Sequence, residues 1–527
     1  MPVTYRAPAK RLLATGPWRG ARAVQPGPGV DAEQYLYSTA NGVLDNTGGY
    51  LVRPGFKRIN SSALSGAIQL HYTFRKTDGT VLLVAISGGQ IYIYTAGAYS
   101  LQVTTANFGT ASVTRSTTAR MYAVTLANKM VIHDGTNKPF TWDGTSGASG
   151  IAELTNADVW YGQHTVYYAK VAAIKNSDRL TFEWSEENDP TTGYEAGGFS
   201  NSWTLGQTSS EPLVGLLGTN EALYYWRTTS MGAIRGAMNA DFVTTGTQDA
   251  FPGAPGLAVS HARAAVGGAI WWVDHEGKAQ RLVGGERDPI WQQLSDLYPP
   301  VGTASGAAAI FGSGWTPSYT AITRLPSLGL VLISYAISGT TPAFEHFAFQ
   351  ENGNWTSDWL HAGSLSFNVV GEWFDATSKL TFVVMTTANG YSFQLGLPGY
   401  AYDEAENGTA VAIPLQVNTH RLGWTEQVEQ QFTRLDVVVN TMGAPATVGV
   451  VPAVKTSRQA EQSLTSQTTV TTSELVERHL VWGLRRNGRW LSTTVAVTPS
   501  ATNGTKPYGV RQIGVTGVPV STHPVLT

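Results

Sequence analysis

The chain has 527 residues, of which 14% are charged, with 57 glycines, 55 aromatic residues, no cysteine and a formal net charge of −2. That length exceeds one ordinary core and implies two or three domains, or one large closed architecture with an appendage. The many aromatics exclude a disordered chain and the shortage of charge excludes a coiled coil; without cysteine there is no disulfide framework, thiolate zinc site or cysteine nucleophile.

The opening segment, residues 1–60, carries Pro17, Pro26, Pro28 and Pro54 among many glycines. Proline fixes φ and removes a donor, so regular helix is denied and an extended arm is expected. No apolar stretch follows Arg6, Lys10 and Arg11, which argues against a signal peptide. The longest apolar run, near 328–337, is too short to span a bilayer. These features predict a chain that is made and kept soluble, or is delivered by an assembly rather than by secretion.

From about residue 68 short β-rich runs follow one another, separated by turn signals such as Thr77-Asp78-Gly79 and Gly88-Gly89. Asp-Gly and Gly-Gly permit the positive φ that tight hairpins need. Clusters of three or four runs centre near residues 82, 124, 167, 224, 270, 331 and 382. A period of roughly 40 to 60 residues of hairpins is the pattern of propeller blades, because one small sheet cannot bury both faces whereas a ring of sheets can. The expected fold is all-β, a β-propeller of about seven blades within a range of six to eight. Stacked β-sandwiches are the structural alternative. After the acidic stretch 403–408 the pattern changes to Ser, Thr, Gln and Val alternation, which suits a β-sandwich. The expected division is an arm at 1–60, a propeller body at 61–410 and a C-terminal β-sandwich-like domain at 411–527.

Charge follows the same division: net +5, −11 and +4 over these three segments. The arm residues Arg6, Lys10, Arg11, Arg19 and Arg22 are candidates for contact with an acidic surface of a neighbouring subunit, and the arm is expected to order only in an assembly.

Chemistry-bearing motifs are sparse. There is no phosphate loop, no zinc helix pair, no nucleophile elbow and no dinucleotide fingerprint. His133-Asp134-Gly135 and Asp274-His275-Glu276 fit hairpin turns better than catalytic pairs. The densest acidic cluster is Glu183, Glu186, Glu187 and Asp189. It fits a solvated loop, a calcium site through hard oxygens, or a glycosidase carboxylate pair.

Several short features in order resemble the tail nozzle, or packaged-DNA stabilisation, proteins of short-tailed phages. Asn41-Gly42 with Arg53-Pro54-Gly55-Phe56 resembles the family's lead into the first blade. Residues 179–184 with Ser185, Asp189-Pro190 and Trp203 resemble its next motif. Residues 213–217 and 222–226 with Arg235-Gly236 and Asp241-Phe242, then 267–274 with Gly277, are similar to the blades that follow. Trp226 stands where the family often has a smaller residue.

The resemblance implies a structural protein of the virion, with no enzymatic activity, no cofactor, no metal and no small-molecule substrate. It implies a homohexameric ring or tube below the portal and adaptor, beside tail fibres or spikes, assembled in the host cytoplasm. The tube would retain packaged double-stranded DNA and conduct it during ejection without tight or sequence-specific binding, and an acidic lumen would suit sliding phosphates. The alternative is a carbohydrate-binding or carbohydrate-hydrolysing β-propeller.

Overall fold

The computed structural model describes residues 11–15, 18–21, 35–95, 97–194, 201–205, 211–238, 242–288, 290–294, 315–337, 343–361, 365, 367–397, 400–422, 429–442, 447–470, 475–499 and 508–519. They are almost entirely β, in antiparallel meanders arranged as a β-propeller. The first strands of successive sheets are Ile68–Arg75, Tyr122–Leu126, Trp160–Tyr167, Leu213–Gly218, Arg263–Val266, Ala321–Leu325 and Phe367–Phe374. Each touches the next, and Phe367–Phe374 touches Ile68–Arg75, so the sheets form a closed ring with these strands innermost. Three hairpins turn on glycine pairs with positive φ at both positions: Gly88-Gly89, Gly267-Gly268 and Gly284-Gly285. Such turns match the right-handed twist of the flanking strands.

The last blade takes its outer strand from the other end of the chain. Phe56–Arg58 pairs with Ser392–Leu395, with Phe393 opposite Arg58 and Leu395 opposite Phe56. Closing a ring this way converts the last sheet edge into hydrogen bonds between segments more than 300 residues apart.

Beside the ring stand two larger sheets. One carries Tyr35–Ala40, Leu415–Thr419, Leu491–Pro499 and Thr447–Thr456; the other carries Gly42–Leu44, Tyr50–Val52, Tyr508–Pro519, Gln430–Met442 and Leu475–Gly488. Leu491–Pro499 alternates buried and half-exposed residues along nearly its whole length, as a strand with one packed face should. Val417, Val450, Val495 and Val497 from one sheet join Leu435, Val437, Val439, Ile513 and Val515 from the other in one buried cluster. The same cluster contains Trp226, Trp272 and Tyr335 of the propeller, so the core is continuous across both units. A parallel bridge from Ala40 to Asp358 also joins the first of these sheets to the sixth blade.

The described pieces of the first sixty residues are therefore shared out, not held apart as an arm. Arg11–Thr15 pairs with Tyr508–Pro519, Gly20–Ala21 pairs with Tyr35–Ala40, and Phe56–Arg58 belongs to the ring. The reason is hydrogen-bond accounting: each of these extended pieces satisfies its backbone groups on a sheet edge of its own chain. Arg19 is exposed and Arg11 lies in a paired strand, while Arg6, Lys10 and Arg22 lie outside the described residues.

Where ring and sandwich meet, Arg53 is fully buried and bidentate to Asp403, at 2.9 and 2.7 Å. Its Nε donates to Asn41 Oδ1, and its terminal nitrogens also donate to the carbonyls of Pro54 and Leu360. All five guanidinium N–H groups are thus used. Asp403 accepts in addition from the Phe56 amide at 2.9 Å. Asn41 adopts φ 58° and donates its side-chain amide to the Pro414 carbonyl. Gly55 lies so close to the Tyr402 backbone that a Cβ would fall 1.6 Å from that carbonyl oxygen. Removing one partner of a buried pair leaves an uncompensated charge, at a cost of about 3–5 kcal/mol. Asp403→Asn is accordingly expected to lower the urea midpoint of tryptophan fluorescence by that equivalent, and Gly55→Ala to prevent folding; an unchanged midpoint in Asp403→Asn would show that the pair does not hold the junction.

Candidate functional site

Two cavities, of about 370 and 450 Å³, lie among the innermost strands of the ring. They share Arg120, Tyr122, His261 and Val369, which form a waist between them. Arg120 lies two residues before the first strand of the second blade, Tyr122–Leu126, and Arg263 opens that of the fifth.

Arg263 is 5% exposed and donates to Gln163 Oε1 at 3.0 Å and to the Gln163 carbonyl at 2.9 Å. Its Nε has no partner, and burial pulls its pKa down to about 9. Arg120 is half-buried and donates to the Ser318 carbonyl at 3.3 Å, with its guanidinium 5.9 Å from the Tyr122 ring. Burial lowers its pKa as well. Among the described residues neither arginine forms an ion pair with a carboxylate. His261 lies 3.4 Å through Nδ1 from the Tyr122 hydroxyl. Burial first, then the charges of Arg120 and Arg263, hold it well below the ordinary histidine range.

The carboxylates of the channel stand apart from this waist. Glu372 lines only the first cavity, where it accepts from the Arg324 amide at 3.2 Å. Asp134 lines only the second cavity and accepts from the amides of Ser116, Thr136 and Asn137 and from the Asn137 side chain. Burial opposes its charge, but these hydrogen bonds outweigh burial and hold its carboxyl below the usual range. Both His133-Asp134-Gly135 and Asp274-His275-Glu276 are turns: Asp274 accepts from the amides of Glu276 and Lys278.

The acidic cluster at 183–189 does not converge on a common point. Glu183 is buried inside the third blade, where it accepts from Trp160 Nε1 at 2.6 Å and from the Asp158 amide at 2.8 Å. Burial raises its pKa. Glu186 is exposed and lies 3.7 Å from Lys170. Glu187 is exposed, and Asp189 accepts from Thr191 and Thr192 in a turn. Among the described residues no group of three or more His, Asp or Glu side chains is placed to hold a metal ion.

The family-like residues take structural positions. Arg53, Pro54 and Gly55 form the junction described above. Pro190 is buried, and its carbonyl accepts from the Tyr194 hydroxyl at 3.0 Å. Trp203 lies in an outer strand of the third blade, its ring 5.1 Å from that of Phe242. Sequence reasoning singled out neither Arg120 nor Arg263. The available signal was a charged residue at the start of an innermost strand, visible only once the blades are set in register.

No protein-family model matches the chain, and no curated protein matches its sequence. Solved structures do align with it. The extracellular domain of a protein described as a putative hybrid two-component system from B. thetaiotaomicron shares 10% identity at a TM-score of 0.37, covering 72% of this chain and 43% of that one. A protein described as a glycoside hydrolase shares 8% identity at a TM-score of 0.28, covering 87% of this chain and 99% of that one. An exo-β-1,3-galactanase from Phanerochaete chrysosporium shares 10% identity at a TM-score of 0.25, covering 88% of this chain and all of that one. The chain thus spans under half the length of the sensor domain. At these TM-scores no residue role passes from them to this chain. The expectation of a protein without enzymatic activity is corrected to this extent alone: glycoside hydrolases are among the structures that align with the chain.

Six buried histidines give the ring a pH dependence. Burial lowers His71 and His346 to about 3 and His133 to about 4, and lowers His164, His261 and His361 as well. A histidine held neutral when folded takes up its proton only on unfolding, so the unfolded state binds more protons below about pH 6.5. Stability is therefore full above that pH and falls below it, by up to about 1.4 kcal/mol per pH unit for each such histidine. The urea midpoint is expected to drop clearly between pH 7.5 and pH 5.5; an equal midpoint at both would contradict the buried neutral state of these rings.

Proposed function

We propose that this chain is the tail nozzle protein of a short-tailed phage. In this reading copies of it form a hexameric ring or tube below the portal and adaptor, beside tail fibres or spikes. The tube retains packaged double-stranded DNA and conducts it during ejection. The supporting observation is the place of the family-like residues. Asn41, Arg53, Pro54 and Gly55 are not a chance run of turn residues; they meet Asp403 in one buried junction that tolerates little change. A motif with so demanding a geometry is a structural signature, which strengthens the resemblance that carries the function. Immunogold labelling of the virions that carry this gene is expected to mark the free end of the tail; purified virions that lack the chain would end this reading.

A second reading, a carbohydrate-binding or carbohydrate-hydrolysing propeller, is favoured by the polar axial channel with its arginine, histidine and tyrosine lining. Pockets at the centre of a ring of rigid strands are natural ligand sites. On this reading the purified chain retains glycans on an array or releases reducing sugar from them. Neither retention nor release would remove it.

A further inference from the structure

At the waist and in the first cavity beside it stand two arginines that form no ion pair with a carboxylate among the described residues. Arg263 is buried, Arg120 is half-buried, and both line the first cavity. Their protein partners are neutral: Gln163 for one, the Ser318 carbonyl for the other. The channel's carboxylates are engaged elsewhere, Asp134 in its turn and Glu372 beside the Arg324 amide. Desolvating a guanidinium without an opposite charge is unfavourable, and the cost falls when an anion enters. Tyr122 and His261 add polar groups at the same waist.

We propose that this waist binds one compact tetrahedral oxyanion, of the phosphate or sulfate kind. The shape follows from the donors. A planar carboxylate is best met by one free guanidinium fork. Each terminal nitrogen of Arg263 already gives one N–H to Gln163, and the N–H groups left over are divided between Arg263 and Arg120, which come from different blades. Donors converging from several sides suit a tetrahedral group. The site rests on the channel geometry and on neither functional reading above, so its failure would leave both of those standing.

The test is titration of the full chain with inorganic phosphate in chloride buffer at constant ionic strength, followed by calorimetry and by the melting temperature. One saturable site per chain is expected, with a melting temperature that rises with phosphate concentration. Arg263→Gln and Arg120→Gln should each weaken binding by about tenfold or more, the worth of a charged hydrogen bond. Arg75→Gln is the control, since Arg75 lines the same cavity but stacks 4.2 Å over Phe374; its binding should be unchanged. If Arg263→Gln fails to fold, the half-exposed Arg120→Gln carries the test. Sulfate should compete with phosphate. No saturable binding, equal binding by Arg120→Gln and the unmodified chain, or acetate binding as tightly as phosphate would each overturn the proposal.

Discussion

The buried pair of Arg53 and Asp403 is the constraint on which the rest of the architecture hangs. Arg53 follows the strand Tyr50–Val52 of the sandwich and precedes Phe56–Arg58 of the ring. Asp403 sits just after the last blade, before the chain returns to the sandwich. One ion pair therefore fixes both passages of the chain between the two units. Buried pairs stabilise only when every lone pair and proton is satisfied. Here the guanidinium spends all its donors, and Asp403 also takes the Phe56 amide, the first backbone group of the closing strand. The Arg53 guanidinium lies 4.8 Å over the Phe56 ring, so the same residue packs as well as pairs.

Closure and junction are coupled by that geometry. The closing strand reaches Ser392–Leu395 by passing close beside Tyr402, and a glycine at position 55 is what lets the two backbones approach. His346 and His361 stand in the same neighbourhood. Their rings lie 5.7 and 5.4 Å from that of Phe56, and burial followed by the Arg53 charge keeps His346 uncharged. A protonated imidazole there would face the guanidinium across a dry core.

The propeller was legible because its hairpins repeat, and the sandwich because its strands alternate. Gly88-Gly89 announces a turn in any sequence. The third blade shows the limit. Its hairpin turns on Tyr168-Ala169, both at positive φ, with neither glycine nor asparagine to mark it. The strands Trp160–Tyr167 and Lys170–Lys175 on either side of it therefore run together in the sequence with nothing to part them. The role of the first sixty residues was hidden for another reason. Proline and glycine density describes a chain that cannot form helix, yet it does not say which sheet edge such a chain will cover. The acidic cluster misled in a third way. Glu183 and Glu186 are close in sequence, but residues 181–185 are all buried within the blade whereas Glu186, the last residue of the strand, is exposed.

Arg53 and Arg263 are the same group in the same protein, both removed from water, and the contrast between them is informative. Arg53 is matched donor by donor with an opposite charge. Arg263 is held by an amide and a carbonyl, its Nε is unpartnered and burial draws its pKa down to about 9. Stability alone would favour a packed apolar side chain at such a position over an uncompensated cation. A natural fold commonly departs from internal consistency where something besides folding is required. In this ring that departure lies in the first of the two cavities, among the innermost strands, where strands of different blades approach one another. The tight junction supplies the rigidity that lets the ring carry it: a strand from the other end of the chain closes the circle of sheets on which both arginines stand.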